Sequence, residues 1–495
     1  MALQRARDAL GSGAPLARAR VESAALCHAL RRHGGGDTFM NAHIFREYDI
    51  RGLVDKDLTT EVVELLGKGL GTIIRRQGGR SIAVGRDCRE SSTRFRDALC
   101  AGLTSTGLNV FDVGVVPTPL TYFAANTLPV DGLAMITGSH NPPEYNGFKI
   151  GAGKTTFHSH EIQALRKLIE ARDFEVSPKP GTVTPYDIIT PYNHFVRQTV
   201  KVGRKGMRIV IDAGNGTGGA IAVPLFESMG FDVVPLFCEM DATFPNHHPD
   251  PTVVENLEDL IAAVKREKAE VGIAYDGDSD RIGVIDDQGN ILWGDQLMVL
   301  FSRYVLKESP GAAIVGEVKC SYTLYDDIAK RGGKPIMWKA GHSLIKSKMK
   351  ETQAELAGEM SGHIFFKNRY FGFDDAIYST ARLLEILTHE KATMSELLSD
   401  VPKTYASPEL RFDTKEEKKF EMVKRATETL RDAGHDIIDV DGVRVTFPDG
   451  WGLIRASNTQ PILVLRFEAN TPERLKEIQA LIEGTVEKVK VEVGG

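Results

Sequence analysis

The same succession of hydrophobic runs and glycines occurs three times along the chain. In each copy a β-type run leads through a polar turn into a helical stretch that ends at a glycine, and a second β-type run follows. The first strands of the copies are residues 81–85, 209–211 and 314–316, and the helices end at Gly107, Gly230 and Gly332. Glycine readily takes the left-handed conformation that closes a helix, so each copy predicts a β-α-β unit.

A polar loop between two short apolar strands follows each unit. The loops are residues 137–143, 276–281 and 358–363. A connection this short joins antiparallel strands, so we predict a mixed sheet in the first domain. Because the three loops carry different side chains, we expect three similar α/β domains that each contribute one loop to a shared site.

The remainder of the chain, from about Tyr405, has a different pattern. Helical periodicity runs from 416 to 431, short strands follow, and a last helix begins at Pro472 after the polar loop 455–461. Helices separated from strands indicate a smaller α+β domain. A chain of 495 residues has room for this organisation at about 150 residues per domain. The predicted domains are residues 41–187, 188–290, 291–402 and 403–495.

The first 39 residues are rich in arginine and alanine, contain no lysine and include Gly34, Gly35 and Gly36. A secretory signal would need a longer apolar core. We expect residues 1–40 to be a disordered extension, or a stretch that precedes a true start at Met40. An arginine-rich transit peptide is the alternative.

The composition excludes several classes of protein. A net charge of -6 argues against a general nucleic-acid binder. The five cysteines show no CxxC spacing, which argues against a disulfide scaffold and a zinc site. No apolar run approaches the roughly 18 residues of a membrane span. We therefore expect a cytoplasmic protein without a membrane or nucleic-acid partner.

The second loop carries alternating carboxylates at Asp276, Asp278 and Asp280, followed by Arg281. Three hard oxygen ligands on one loop suit Mg²⁺. A polar turn or half of an EF-hand is the alternative, but no Glu stands twelve residues into the loop. The pattern favours a metal site with a cation beside it.

The first loop places Ser139 and His140 directly after a buried strand, with Lys149 on the next strand. Gly138 allows backbone amides to approach an anion, and two prolines stiffen the loop. These surroundings suit a serine that carries a phosphate. A turn serine beside a structural histidine is the alternative, because the sequence shows no base for Ser139.

The remaining loops carry groups that could bind a phosphorylated sugar. Glu359, Ser361 and His363 could read hydroxyl groups, although a hairpin turn explains them equally well. Arginine with small polar neighbours suits a terminal phosphate, and a polar turn is again the alternative. The candidate phosphate ligands are Arg455, Ser457, Asn458, Thr459 and Arg466. Further candidates at other strand ends are Tyr48, Arg51, Arg86, Lys319 and His342.

Taken together, the motifs 139–142, 276–281, 358–363 and 455–461 resemble those of the α-D-phosphohexomutases, most closely the bacterial phosphomannomutase/phosphoglucomutase group. The resemblance covers about residues 43–495. It implies three related α/β domains with mixed sheets and a smaller C-terminal domain, arranged as a heart around a central cleft. Ser279 stands where the family often has glycine or alanine, and we expect no effect on metal binding.

The resemblance also implies roles for individual residues. Ser139 would be the phosphoserine, and Mg²⁺ would sit on Asp276, Asp278, Asp280 and a phosphoserine oxygen. Arg281 would offset charge on the transferred group, and His140 is a further catalytic candidate beside the serine. The general acid/base stays open among Lys149, His363, His342 and Arg51. The substrate-binding set is Tyr48, Lys319, Glu359, Ser361, His363, Arg455, Ser457, Asn458, Thr459 and Arg466.

The implied activity is reversible interconversion of mannose or glucose 1-phosphate and 6-phosphate. It would pass through a phosphoserine and a hexose 1,6-bisphosphate, which also serves as activator. We expect a monomer or weak homo-oligomer. The alternatives are a phosphoglucosamine mutase, which typically carries Gln where this chain has Met360, a non-catalytic metal-dependent sugar-phosphate binder, and a phosphatase phosphorylated on Asp276.

Overall fold

The computed structural model describes residues 40–457 and 461–494. Residues 1–39 of the predicted N-terminal extension and the predicted phosphate ligands Asn458 and Thr459 lie outside the described residues. Four sheets follow one another along the described chain. No helix in this part of the chain has the length and apolar character needed to cross a bilayer.

The first sheet has six strands in the order β1-β5-β4-β2-β3-β6. Strands β2, β3, β4 and β6 are parallel, whereas β5 is antiparallel to both β4 and β1. The predicted mixed sheet is therefore present. The strands are β1 Ile50–Leu53, β2 Ser81–Arg86, β3 Asn109–Val115, β4 Gly132–Ile136, β5 Tyr145–Ala152 and β6 Val183–Pro185, and the helices are α1 Thr60–Arg76, α2 Glu90–Ser105, α3 Thr118–Thr127, α4 His160–Glu170 and α5 Ile189–Thr199.

The second and third sheets repeat this scheme with fewer strands. Their orders are β11-β10-β9-β7-β8 and β13-β12-β14-β15. The second sheet comprises β7 Arg208–Asp212, β8 Asp232–Leu236, β9 Val271–Tyr275, β10 Ile282–Asp286 and β11 Ile291–Leu292, with helices α6 Gly219–Met229 and α7 Glu258–Glu267. The third comprises β12 Ala313–Glu317, β13 Lys334–Trp338, β14 Leu356–Gly358 and β15 Ile364–Phe366, with helices α8 Gly294–Glu308, α9 Tyr322–Lys330, α10 His342–Thr352, α11 Ala376–His389 and α12 Met394–Leu397.

The fourth sheet is antiparallel throughout its described pairs, with two helices apart from the strands. It therefore matches the predicted α+β pattern. Its elements are β16 Tyr405–Ala406, β17 Leu410–Asp413, α13 Lys419–Asp432, β18 Asp436–Ile438, β19 Val443–Phe447, β20 Gly450–Ala456, β21 Ile462–Ala469 and α14 Pro472–Val493. Two short 3₁₀ helices, Ala42–Ile44 and Val254–Leu257, complete the described elements.

The hydrophobic core is continuous across the first three sheets. One buried cluster includes Leu120 and Tyr192, Ile209 and Val284, and Leu384. The fourth sheet and its helices have a separate core, in which Leu465 and Ile482 are buried. The fold is thus a multi-domain α/β structure, and the exact boundaries at 187, 290 and 402 stay predictions.

In each of the first three sheets, the loop noted in the sequence joins two antiparallel strands. It connects β4 to β5, β9 to β10 and β14 to β15. The first strand of each pair is also parallel to the first strand of its β-α-β unit. The three loops therefore emerge at equivalent places, the carboxyl ends of equivalent strands, where ligands of open α/β sheets bind.

Helices α1 and α2 pack at glycines, which generates a test of this contact. A Cβ added to Gly102 would lie 2.2 Å from the backbone oxygen of Glu64. Alanine has a helix preference of about 1 kcal/mol over glycine, but overpacking against backbone costs about 1–3 kcal/mol. We therefore expect Gly102→Ala to lower the free energy of unfolding, measured by urea denaturation.

Gly484 provides the matched control, since it lies in α14 with no atom within 4 Å of an added Cβ. Gly484→Ala should raise the free energy of unfolding by about 0.5–1 kcal/mol. Equal stabilisation by both variants would contradict the close helix contact.

Candidate active site

A cavity of about 700 Å³ is lined by side chains from all four sheets and their loops. The polar candidates from the sequence that line it are Tyr48, His140, Arg281, Lys319, His342, Glu359, Ser361, His363, Arg455, Ser457 and Arg466. Ser139, Lys149 and the three aspartates are buried. The structure thus brings the four predicted loops to one place.

Ser139 lies at the end of β4 in a left-handed backbone conformation, with φ of 50°. Its Oγ donates to Asp276 Oδ2 at 2.8 Å and lies 3.0 Å from His140 Nδ1. Left-handed conformations are unfavourable for residues with a Cβ and are found where surrounding contacts enforce them. Here that conformation directs the Ser139 hydroxyl toward the carboxylate loop, residues 276–281.

Arg89, which the sequence reading did not single out, enforces this conformation. Its guanidinium donates to four backbone carbonyls of the serine loop, residues 137–143, and the start of β5: those of Ser139 (2.9 Å), Asn141 (2.5 Å), Pro142 (2.6 Å) and Tyr145 (3.1 Å). Asp87 accepts from the Gly138 backbone N–H at 2.9 Å and pairs with Arg89 at 3.2 Å. The loop is therefore held by a buried ion pair from the start of α2.

The carboxylate loop packs directly on the serine loop. A Cβ on Gly277 would lie 2.5 Å from the Ser139 carbonyl oxygen, so only glycine allows this approach. Thr118, at the start of α3, donates its backbone N–H to the Asp278 carbonyl and its hydroxyl to the Asp278 carboxylate. Domains one and two are thus joined at the site by backbone contact.

The donor set of this loop fits a divalent cation. Asp276, Asp278 and Asp280 are fully buried, and one oxygen of each lies within 4.8 Å of the others. Asp278 Oδ1 and Asp280 Oδ1 have no hydrogen-bond partner among the described residues. Buried carboxylate oxygens without partners are costly, and a hard cation such as Mg²⁺ would satisfy them.

Lys149, on β5, is held by the same carboxylates. Its Nζ lies 2.8 Å from Asp278 Oδ2 and also contacts Asp280 Oδ2. Although burial acts in the opposite direction, the charges of Asp278 and Asp280 raise the pKa of Lys149 well above its ordinary value. Burial together with the charges of Asp278 and Asp280 raises the pKa of Asp276 in turn. Lys149 is therefore a fixed positive charge at this site.

Two histidines stand beside the carboxylate loop. His363 and His342 stack with ring centroids 5.5 Å apart. Arg281 donates its Nε–H to His363 Nε2 at 3.0 Å, and His363 Nδ1 lies 3.0 Å from Asp374 Oδ2. Burial lowers the pKa of His342 well below its ordinary value, and the charge of Lys346 adds to the shift.

His140 lies on the serine loop, and Arg51 lies on strand β1. Arg51 donates to the Asn141 side chain and pairs with Asp49 at 2.5 Å. Burial lowers the pKa of His140 well below its ordinary value, with the charges of Arg281 and Arg51 acting in the same direction. Arg51 therefore supports the loop, and His140 is a neutral neighbour of Ser139.

The sugar-loop candidates lie across the cavity. Glu359 Oε1 accepts from the Gly341 backbone N–H at 2.7 Å, and Ser361 is half-buried. Tyr48 donates its hydroxyl to the Ala340 carbonyl at 3.0 Å. Glu317, buried beneath them, accepts from the Met360 backbone N–H at 3.2 Å, and burial raises its pKa to about 7.

Two cations that line the cavity, one from the fourth loop and one that follows β12, are held by carboxylates. Arg455 pairs with Asp441 at 3.0 Å, and Lys319 with Glu409 at 2.8 Å. Arg466 is buried with its Nε unbonded among the described residues, and Ser457 is buried at the start of the loop. Asn458 and Thr459 lie outside the described residues, so their placement stays a prediction.

Four residues at the site had no signal in the sequence. Arg89, Thr118, Lys346 and Asp374 lie outside the four loop motifs, and they contact the site residues only in the folded chain. Asp374 precedes Asp375, which caps α11, so the sequence pattern of the two aspartates indicates only the start of a helix. Only spatial proximity distinguishes the two carboxylates.

Family comparisons agree with this arrangement. Four domain models match in chain order: phosphoglucomutase/phosphomannomutase α/β/α domain I at residues 42–176, domain II at 190–289, domain III at 293–405 and the C-terminal domain at 409–484.

Whole-chain relatives carry the same names. A phosphomannomutase/phosphoglucomutase of Pseudomonas aeruginosa is 48% identical over 448 residues, covering 90% of this chain and 96% of that protein. A phosphoglucomutase of Neisseria meningitidis serogroup A is 46% identical, covering 90% and 96%. A crystal structure of a phosphoglucomutase/phosphomannomutase family protein from Burkholderia thailandensis superposes with a TM-score of 0.87 at 42% identity, covering 91% of this chain and 98% of that one.

The unpartnered carboxylate oxygens predict that metal binding stabilises the fold. A cation that binds only the native state at 100 times its Kd contributes about 2.7 kcal/mol. We expect Mg²⁺ to raise the Tm of the wild type, and Asp278→Asn to lose more than half of that shift at the same Mg²⁺ concentration. Differential scanning fluorimetry with and without a chelator measures this.

Asp259→Asn is the control, because Asp259 is exposed on α7 and its substitution makes the same change in charge. It should keep the full Mg²⁺-dependent shift in Tm. An undiminished shift in Asp278→Asn would show that the loop is only a turn.

Proposed function

The chain belongs to the phosphoglucomutase/phosphomannomutase family, and we propose that it transfers phosphoryl groups through Ser139 to interconvert the 1-phosphate and 6-phosphate of a hexose. It is a phosphohexomutase, an isomerase that acts on phosphorylated sugars. Its family is metal-dependent, and its acidic loop could bind a metal. Mannose and glucose phosphates are the proposed substrates, since the relatives bear both names.

The observation that carries the proposal is the setting of the Ser139 hydroxyl. It lies 2.8 Å from a carboxylate of the cation-binding loop, beneath a cavity to which all four sheets contribute. A sugar-phosphate binder without turnover has no need of a hydroxyl held in a strained backbone at this point. The setting therefore supports a covalent phosphoryl carrier.

In the proposed reaction, an oxygen of the sugar attacks the phosphorus of phosphoserine 139. The new sugar O–P bond forms as the Ser139 Oγ–P bond breaks, which yields a hexose 1,6-bisphosphate. The proton lost by the sugar hydroxyl is balanced by the one that Ser139 Oγ takes up. The second half-reaction returns the other phosphate to Ser139 from the reoriented bisphosphate.

Most of the protein's contribution to such a transfer is positioning and charge stabilisation. Asp276, Asp278 and Asp280 would hold Mg²⁺, which supplies Lewis-acid stabilisation of charge on the transferred group. Arg281 and Lys149 place two further positive charges at the same point. Added hexose 1,6-bisphosphate would act as activator by phosphorylating Ser139.

Of the four candidates for the general acid/base, we propose His363. Arginine is the least suitable base among these residue types, which argues against Arg51. Lys149 is held between two carboxylates that keep its ammonium charged. His363 lines the cavity, and its Nε2 accepts from Arg281, so that nitrogen has the lone pair a base needs. His342 would contribute to the packing around it.

The cavity wall opposite would bind the sugar and the phosphate that is not reacting. We propose that Glu359 and Ser361 read central hydroxyls, because they stand on the loop that faces the carboxylates. The proposed phosphate set comprises Lys319, Arg455, Ser457, Asn458, Thr459 and Arg466, with Tyr48 at the rim. Localisation in the cytoplasm and a monomer or weak homo-oligomer stay predictions from the sequence.

The covalent role predicts that Ser139→Ala lowers kcat by at least about three orders of magnitude, because removal of a covalent nucleophile has costs on that scale. The fold should persist, since the loop is held by Arg89 through backbone oxygens. Peptide mapping of the wild type should locate phosphate on Ser139. Near-normal activity of the variant, or acid-labile phosphate on Asp276 instead, would contradict the proposal.

The sugar contacts predict relaxed specificity at C2. Mannose and glucose differ only there, and a pair that reads O3 and O4 does not contact it. A site built to hydrogen-bond a hydroxyl rejects a ligand that misplaces it, so galactose 1-phosphate should be poor. Glu359→Ala should lower kcat/KM for both good substrates alike.

The measurement is kcat/KM for the three sugar 1-phosphates with a trace of the matching bisphosphate. A mannose-to-glucose ratio beyond about a hundredfold, or about 2.7 kcal/mol, would imply a contact at C2 and contradict this assignment.

A further inference from the structure

We propose that Arg444 is the positioning residue for Lys319: it holds the turn after β12 on the fourth domain, so that phosphate-binding cations of the third and fourth domains keep a fixed separation. This inference rests on the proposed function, in which Lys319 and Arg455 bind the phosphate that is not reacting. Arg444 lies on β19, outside the four loop motifs, and is not among the residues that line the cavity.

Arg444 bonds to the residues on both sides of Lys319. Its Nη1 donates to the Val318 carbonyl at 2.5 Å and to the Cys320 carbonyl at 2.8 Å. The backbone N–H groups of the same two residues are bonded within the third domain. Val318 and Cys320 are fully buried. The backbone around Lys319 is therefore attached to the third domain by its N–H groups and to the fourth domain by its carbonyls.

The indole ring of Trp451 holds the Arg444 guanidinium in place. The guanidinium carbon lies 3.8 Å from the centre of the ring, and Arg444 is only 2% exposed. The negative face of an indole attracts a cation, and removal from water strengthens that attraction. The Trp451 Nε1–H donates to the Glu468 carboxylate, which also accepts from the Ser321 hydroxyl at 2.7 Å. The fourth domain therefore holds residues 318–321 with both a cation and a carboxylate.

The side chain of Lys319 extends from this turn to the wall of the cavity. Its Nζ lies 2.8 Å from Glu409 Oε1 and 3.6 Å from Glu317 Oε1. Although burial acts in the opposite direction, the charges of Glu317 and Glu409 raise the pKa of Lys319 above its ordinary value. Lys319 is therefore a permanent positive charge, and its location depends on where its backbone is held.

The alternation of side chains along β20 connects this contact to Arg455. Trp451, Leu453 and Arg455 are two residues apart from one another and so lie on one face of the fourth sheet. Arg444 on β19 is directly opposite Leu453, which places it on the same face. Val318 packs with Trp451 and Leu453 in a small buried cluster. The face that packs on the turn after β12 therefore continues into the arginine that lines the cavity.

A phosphate group held by cations from two domains is sensitive to the distance between those cations. Charged N–H···O hydrogen bonds are strongest at about 2.7–2.9 Å, so both donors must be in place at once. When the protein fixes Lys319 and Arg455 beforehand, less ordering is needed as the phosphate binds. Loss of the Arg444 contact should therefore weaken binding of the sugar phosphate more than it slows the transfer at Ser139.

The first test is Arg444→Lys, measured as KM and kcat separately with glucose 1-phosphate. Lysine keeps the charge but lacks the planar fork that bonds to both carbonyls. We expect KM to rise at least about tenfold with kcat within about threefold, because the phosphate that is not reacting is bound alike in the ground and transition states. Arg444→Gln, which buries no charge and keeps one amide donor, is the second variant and should show the same rise.

Two comparisons separate positioning from a general loosening of the domain junction. Because Arg444 acts through Lys319, the rise in KM should nearly vanish in a Lys319→Met background. Tyr322→Phe is the matched control, since the Tyr322 hydroxyl donates to Asn470 across the same junction without contacting the residues beside Lys319. It should leave KM within about twofold of the wild type. Additive effects of Arg444→Lys and Lys319→Met, or an equal rise in Tyr322→Phe, would overturn the proposal.

A binding measurement distinguishes failure of this inference from failure of the proposed function. Ser139→Ala, alone and combined with Arg444→Lys, is titrated with glucose 6-phosphate by isothermal titration calorimetry, so that no turnover contributes to the signal. We expect the Kd to be at least about tenfold higher in the double variant. An unchanged Kd would overturn the inference. Absence of mutase activity in the wild type, with the difference in Kd intact, would overturn only the proposed function.

Discussion

Burial of three carboxylates on one short loop is the constraint on which the rest of the site depends. Asp276, Asp278 and Asp280 are fully buried, and such charges are tolerated only when cations and hydrogen-bond donors surround them. Lys149 and Thr118 arrive from the first domain, and Ser139 donates from its loop. The need to balance this negative charge therefore holds the first and second domains together at the site.

The third domain is attached to the same loop by its backbone. Arg281 and His363 form an antiparallel bridge, and the Ile282 N–H donates to the Gly362 carbonyl at 3.0 Å. The Ala376 N–H donates to Ser279, which takes a left-handed conformation with φ of 57°. A displacement of the carboxylate loop would thus disturb the serine and the histidine together. One continuous hydrophobic core also joins the first three sheets.

Charge is arranged in two layers around this loop. Next to the serine, Lys149 and Arg281 offset the carboxylates where a phosphoryl group would transfer. Farther from the serine, Lys346 offsets the charge of Asp374, which lies beside His363. Asp374 therefore does not compete with the three loop carboxylates for Lys149 and Arg281. Across the cavity, Arg455 of the fourth domain is held by Asp441, and Lys319 of the third domain is held by Glu409. The phosphate groups of a substrate would therefore lie near positively charged side chains that are already in place on both sides of the cavity.

The sequence by itself determined the repeated β-α-β units, the mixed sheets and the identity of the chemical loops. Those features are local, because hydrophobic period, helix-ending glycines and clustered ligands all lie within a few residues of one another. Only the tertiary structure decided which groups act on one another: that Arg89 holds the serine loop, that Lys149 is a fixed charge, and that Asp374 and not Asp375 faces His363. Such pairings depend on distances between segments that are not adjacent in the sequence, and only packing sets those distances.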